Sequence, residues 1–201
     1  MQRPTNTMTK RFHLLAACAA ACLGTLAAPA SALVLLGTPA GGAAIADYSG
    51  IGVVSFDADF TSPTLVPLQF RIESADLLAP VSFNAVIRNF TGSGLDGLSF
   101  LLDGATFASA GSVTRSFGST QLDVAATYAA LRFAVPEYLD VEIGNALGRP
   151  GATDWTLSLA GRSVGDVITM QVVPAAVAEP PLIALVAGGL GLLAWARRRR
   201  G

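Results

Sequence analysis

The chain has 201 residues, 52% of them hydrophobic and 13% charged, with a formal net charge of −1. That balance hides a division, because residues 33–181 hold six arginines against 14 acidic residues, a net charge of −8, and the other seven basic residues flank them. A body this acidic excludes nucleic acid as a partner and has no electrostatic attraction to anionic lipid.

At the start of the chain, Arg3, Lys10 and Arg11 are basic, and no acidic residue precedes Asp47. Residues 14–26 form a 13-residue apolar stretch, of signal-peptide length and too short for a stable membrane span. Ala30-Ser31-Ala32 supplies the small-x-small pattern, so residues 1–32 read as a signal peptide cut after Ala32 by signal peptidase, with Ala30 and Ala32 as the processing residues. Leu15-Ala16-Ala17-Cys18 has the outline of a lipidation motif, but almost no hydrophobic region would precede that cut. An uncleaved N-terminal anchor is the alternative. Cleavage removes Cys18, Cys22, the only histidine (His13) and the only lysine (Lys10). The remaining chain then excludes Ser-His-Asp and Cys-His nucleophiles, as well as zinc or copper sites built on His or Cys. No cofactor is implied. Without disulfides, stability must come from core burial alone.

About 145 residues lie between the two chain-end signals, enough for one domain. Residues 33–46, rich in Gly and Ala, read as a lead-in or a weak first strand. Thereafter the hydrophobic period is two. Ser55-Phe56-Asp57-Ala58-Asp59-Phe60 alternates, and Leu68, Phe70 and Ile72 share a face opposite Gln69, Arg71 and Glu73. Residues 82–88, 139–143, 155–159 and 167–173 behave in the same way. Turn chemistry separates these runs at Thr91-Gly92-Ser93-Gly94, Asp96-Gly97, Asp103-Gly104, Gly148-Arg149-Pro150-Gly151 and Gly165-Asp166. Residues 120–131 are alanine-rich and open to either helix or strand. The expected fold is all-β: a single antiparallel β-sandwich, jelly-roll or immunoglobulin-like, over residues 33–173. Residues 174–181 read as an extended Pro/Ala linker accessible to a protease.

Several residues in the body have the chemistry of a site. Asp57 and Asp59, or Asp96 and Asp103, could offer oxygen to Ca²⁺, but nothing has the dense spacing of a calcium loop, so turn and surface roles are expected. Glu137, Asp140 and Glu142 could supply the carboxylate pair of a glycosidase. Asp140 and Glu142 fall on one face of an alternating run, which reads as its solvated face. Trp155, Tyr48 and Tyr138 could form a sugar-stacking platform, although Trp155 opens an alternating strand and reads as core. Asn89-Phe90-Thr91 matches a glycosylation sequon and reads as a polar turn. No catalytic, cofactor or metal residue is assigned.

The end of the chain carries Val177-Ala178-Glu179-Pro180-Pro181, a 15-residue uncharged run over 182–196, and Arg197-Arg198-Arg199-Arg200. As a helix, 182–196 spans about 22 Å, short of the roughly 30 Å hydrocarbon core. Gly188, Gly189 and Gly191 lower its helix propensity, and Trp195 stands where an interfacial aromatic belongs. Arg197, Arg198, Arg199 and Arg200 are costly to translocate, so they are expected to stay cytoplasmic and orient the body outward. A permanent single-span anchor is the plainer alternative.

This tail resembles that of the PEP-CTERM family, the exosortase substrates of Gram-negative bacteria. Their C-terminus joins a Pro-Glu-Pro signature, a hydrophobic helix and an Arg-rich end; here Ala178 replaces the first proline, giving Ala178-Glu179-Pro180. The body is also similar to domains common in that family, at residues 89–107 and at Gly151-Ala152-Thr153-Asp154-Trp155. The resemblance implies a non-enzymatic exported protein, held briefly in the inner membrane by its tail. An exosortase-type enzyme then cuts near Ala178, Glu179 and Pro180 and releases it to the cell surface or extracellular matrix. Exopolysaccharide is a further candidate partner. The alternatives are a carbohydrate- or matrix-binding module, and a secreted hydrolase that the missing histidine disfavours.

Overall fold

A computed structural model describes residues 33–37 and 42–177, together with Leu190 and Arg199 in isolation. The expected signal peptide, the 182–196 span and the processing motif lie outside the described residues. Among the described residues no helix is long and apolar enough to cross a membrane.

Thirteen strands follow one another among the described residues. The first seven are β1 (Val34–Leu35), β2 (Ala43–Asp47), β3 (Val53–Phe60), β4 (Val66–Arg71), β5 (Val81–Asn89), β6 (Leu95–Asp103) and β7 (Thr106–Ser109). The rest are β8 (Val113–Arg115), β9 (Thr120–Val124), β10 (Tyr128–Glu137), β11 (Asp140–Ile143), β12 (Trp155–Ser158) and β13 (Val167–Ala176). One sheet has the order β1-β4-β13-β6-β10-β9. The other runs β2-β3-β5-β11-β8, with β12 also on β5 and β7 on β12. The two sheets pack face to face, so the protein is all-β with a two-layer core.

Alternation in the sequence becomes alternation in burial. In β4, Val66, Leu68 and Phe70 point inward while Pro67, Gln69 and Arg71 point out. In β3, Val54, Phe56, Ala58 and Phe60 are the buried set. Each of the valine, leucine and phenylalanine side chains among them contributes about 1.5–3 kcal/mol by leaving water. Phe83 on one sheet meets Phe100 on the other edge-to-face at 5.5 Å and also touches Trp155 at 6.3 Å. Trp155 is fully buried, and its indole N–H donates to the Ser112 carbonyl at 3.0 Å, so its one polar atom is satisfied.

Three expectations need correction, and one open alternative is decided. The sandwich is not antiparallel throughout, because β3 and β5 pair in parallel from Val53↔Ser82 to Phe60↔Asn89. Between them the chain crosses to the other sheet as β4 and returns through a 3₁₀ turn, Ser74–Leu77, so β5 enters at the same end as β3. For residues 120–131, open to helix or strand, the strand holds: they form β9 and the start of β10, paired from Ala129↔Val124 to Phe133↔Thr120. Asp96-Gly97 lies inside β6 and makes no turn, because the register against β10 and β13 shifts there. A side chain on Gly97 would put its Cβ 2.3 Å from the Leu131 carbonyl oxygen, so the close approach of β10 demands glycine.

The third correction positions the chain end. Residues 174–176 are the last part of β13, and the expected linker is shorter by that length. Pro174 is accommodated because β4 stops pairing at Val172, which leaves β6 as the only neighbour. The three-residue β8 and the far half of β10 were not foreseen either. Both sit at sheet margins, where a short run carries too few side chains to show a period.

Candidate functional site

The last sheet-bound residues mark the point where the chain leaves the sandwich. Ala175 and Ala176 face Gly97 and Leu95 across the β6 ladder, and the Val177 N–H donates to the Gly94 carbonyl at 2.9 Å. The processing residues Ala178, Glu179 and Pro180 begin one residue later and lie outside the described residues, as do Ala30, Ala32, Arg197, Arg198 and Arg200. The structure defines the corner at which the described chain ends before Ala178.

That corner is built from the segment after β5 and the end of β10. Asn89, buried at the end of β5, donates from its amide to the Ser93 carbonyl at 2.7 Å and the Glu137 carbonyl at 3.0 Å. Its Oδ1 accepts from the Thr91 N–H and hydroxyl at 3.1 and 2.7 Å. All of the polar capacity of this side chain is used inside the fold, and the sequon reading gives way to a structural turn. Tyr138 and Pro136 close over Gly94 so tightly that a Cβ there would lie 2.8 and 2.7 Å from them.

Beneath the corner lies a buried ion pair. Glu137 is fully buried; its Oε1 accepts from the N–H groups of Tyr138 and Leu139, both at 3.1 Å. Its Oε2 accepts from Arg115 Nε at 3.3 Å. The rest of the guanidinium donates to the Ser119 and Val135 carbonyls at 2.9 and 2.6 Å, and its carbon sits 4.1 Å from the centroid of the Phe133 ring. Arg115 comes from β8 and Glu137 from β10, so the pair bridges the two sheets where β13 ends. A fully buried carboxylate that accepts three hydrogen bonds, from an arginine and two backbone N–H groups, acts as a clamp between the sheets.

The other sequence candidates disperse. Asp57 and Asp59, on the outer face of β3, accept from the two terminal nitrogens of Arg88 on β5 at 2.5 and 2.8 Å. They border a depression of about 260 Å³ with Ala44, Ala46 and Tyr48. The hydrogen bonds that Arg88 donates to Asp59 and Asp57 push its pKa up, and both carboxylates are engaged by the one cation. Asp96 and Asp103 stand near opposite ends of β6 and cannot share an ion. Among the described residues no group of three or more His, Cys, Asp or Glu is placed to hold a metal.

The solvated face expected for Asp140 and Glu142 is only half correct. Asp140 is exposed, but Glu142 is buried beneath the 144–154 segment, where Arg149 binds it through Nε at 2.7 Å and through Nη2. That hydrogen bond pushes the Arg149 pKa up. Glu137 lies apart from both, inside the clamp. Trp155 is core, while Tyr48 and Tyr138 are exposed at different ends of the sandwich, so no stacking platform forms. Sequence reasoning missed the Arg115–Glu137 pairing because 22 residues separate the partners. A signal did exist: Glu137 is the lone charge within Ala134-Val135-Pro136-Glu137-Tyr138-Leu139, and a charge buried in such a run needs a partner.

No family model, curated protein or solved structure matches this chain. The functional reading therefore rests on its own residues.

Proposed function

We propose that the chain is an exported, non-enzymatic surface or extracellular-matrix protein. Its sandwich, jelly-roll or immunoglobulin-like in type, is cargo, and its C-terminus is a sorting signal of the PEP-CTERM kind. The observation that carries this reading is the order Ala178-Glu179-Pro180, uncharged 182–196, Arg197–Arg200, following directly on the last sheet-bound residue, Val177. The leader, residues 1–32, is removed by signal peptidase. The tail then holds the body outside the inner membrane while an exosortase-type enzyme cuts near Glu179 and Pro180. Support comes from the acidic, thiol-free and histidine-free body, and from the engagement of Glu137, Glu142, Asp57 and Asp59 by arginines.

Mass spectrometry of the mature protein from the producing bacterium tests this. The expected termini are Leu33 at the start and a residue upstream of Leu182 at the end. Surface-located material that still carried Arg197, Arg198, Arg199 and Arg200 would overturn the sorting signal in favour of a permanent anchor.

A further inference from the structure

The sandwich has two ends, and they differ in charge. The exit end, where β13 stops, is formed by residues 61–65, 90–94, 116–119 and 135–139. Their only residue charged at neutral pH is Glu137, which is fully buried. The opposite end, formed by 48–52, 73–80 and 160–166, carries Glu73, Arg162 and Asp166 in or near solvent. Besides Leu65, five large apolar side chains stand in solvent at the exit end with no exposed charge among them: Phe90, Phe117, Val135, Tyr138 and Leu139 are each between 50% and 64% exposed. The opposite end also exposes Tyr48, Ile51, Leu78 and Val164, but these lie among Glu73, Arg162 and Asp166. The backbone keeps them together: Asn89 N–H donates to the Leu139 carbonyl at 3.3 Å, Tyr138 covers Gly94, and Gly118, next to Phe117, lies against Val135. In a body with a net charge of −8, an uncharged end bearing aromatics departs from the rest of the surface. The nearest exposed acids, Asp96 and Asp140, stand on the first residues of the adjoining strands.

Chain length names the occupant. Val177 is tied to Gly94 at this end, and only residues 178–181 separate it from the apolar run at Leu182. Five Cα steps reach at most about 18 Å, and less if the short run draws the prolines toward the hydrocarbon. The opposite end lies farther off by the length of β13, about 33 Å for ten residues.

We propose that the exit end of the sandwich is a lipid-contacting surface. In the membrane-held precursor, Phe90, Tyr138 and Leu139 rest in the headgroup layer of the same bilayer that the tail enters. This rests on the sorting reading, in which residues 182–196 insert. Aromatic side chains gain most at that boundary because ring and hydroxyl find apolar and wet surroundings together. With no exposed carboxylate on its loops, and only Asp96 and Asp140 beside them, this end meets less repulsion than the rest of the acidic body would. The contact holds the Ala178-Glu179-Pro180 region at the membrane surface, where a membrane enzyme must find it.

The test uses the full chain with Cys18→Ala and Cys22→Ala, reconstituted in vesicles of phosphatidylethanolamine and phosphatidylglycerol. A single cysteine, Leu139→Cys or Phe90→Cys, carries an environment-sensitive fluorophore, with Leu78→Cys at the opposite end as reference. The expected result is quenching by headgroup-proximal spin-labelled lipid at least about twofold stronger at 139 and 90 than at 78. Vesicle-bound protein with equal quenching at all three positions overturns the lipid surface and leaves the sorting reading standing. Protein that fails to float with the vesicles overturns both. Selective shielding of 139 and 90 only in native inner-membrane fractions, and not in pure lipid, overturns the lipid assignment in favour of a protein partner.

Discussion

Arg115 and Arg88 hold carboxylates through the same chemistry in opposite surroundings. The Arg115 side chain is 2% exposed and its partner Glu137 is fully buried. Arg88 is 32% exposed, with Asp57 and Asp59 at 18% and 38%. Inside the fold, each charge lost its water, so every donor of Arg115 and both oxygens of Glu137 need protein partners, and the backbone around them is held in one arrangement. On the outer face, water and salt share the work, and the three side chains can rearrange at little cost. The buried pair is therefore a structural joint between the sheets at the exit end, and the exposed one neutralises local charge on an acidic surface.

The largest effect expected from this contrast is at Glu137. Glu137→Ala leaves the Arg115 guanidinium buried without its anion and removes the acceptor for two N–H groups, at a cost of about 3–5 kcal/mol. Urea unfolding of the same chain with and without the substitution checks this; an unchanged midpoint would mean that Arg115 reaches water. Arg88→Met is expected to cost less than about 1 kcal/mol, since the sites are solvated and screened. Its difference from the parent chain should shrink further in molar salt, because the Debye length falls to about 3 Å. A loss as large as that at Glu137, insensitive to salt, would erase the distinction.

The smallest effect lies on the outer face of the other sheet, where the Tyr128 hydroxyl donates to Asp123. That hydrogen bond raises the phenol above its ordinary pKa of 10.0. A folded pKa above the unfolded one gives stabilisation that is complete below pH 10 and is lost as pH rises through the folded value. Stability of the parent chain should thus decline in that alkaline window, and Tyr128→Phe should start slightly lower near neutrality and lack this part of the decline, so that the two proteins converge at high pH. Identical alkaline slopes in the two proteins would show that Tyr128 ionises as a free phenol.

Much of the fold was legible because β-strands with one wet face write their period directly into the chain. Leu68, Phe70 and Ile72 could have no other partition, and Trp155 at the head of an alternating run belonged to the core. The candidate site was far less legible. Glu142 looks solvated by its spacing with Asp140, yet the 144–154 segment covers it and supplies Arg149. Asn89 looks like a modification sequon, yet its amide is consumed by carbonyls at positions 93 and 137.

By itself the sequence determined an all-β body, its acidity, its lack of thiol and imidazole beyond the first 32 residues, and the order of elements at its C-terminus. These follow from residue type and local spacing alone. Only the tertiary structure decided that β3 and β5 run parallel, that Arg115 finds Glu137, and that Val177 leaves beside Phe90, Tyr138 and Leu139. Each of those depends on which strand lies next to which, and two-residue alternation tells a strand which face to bury without naming its neighbour.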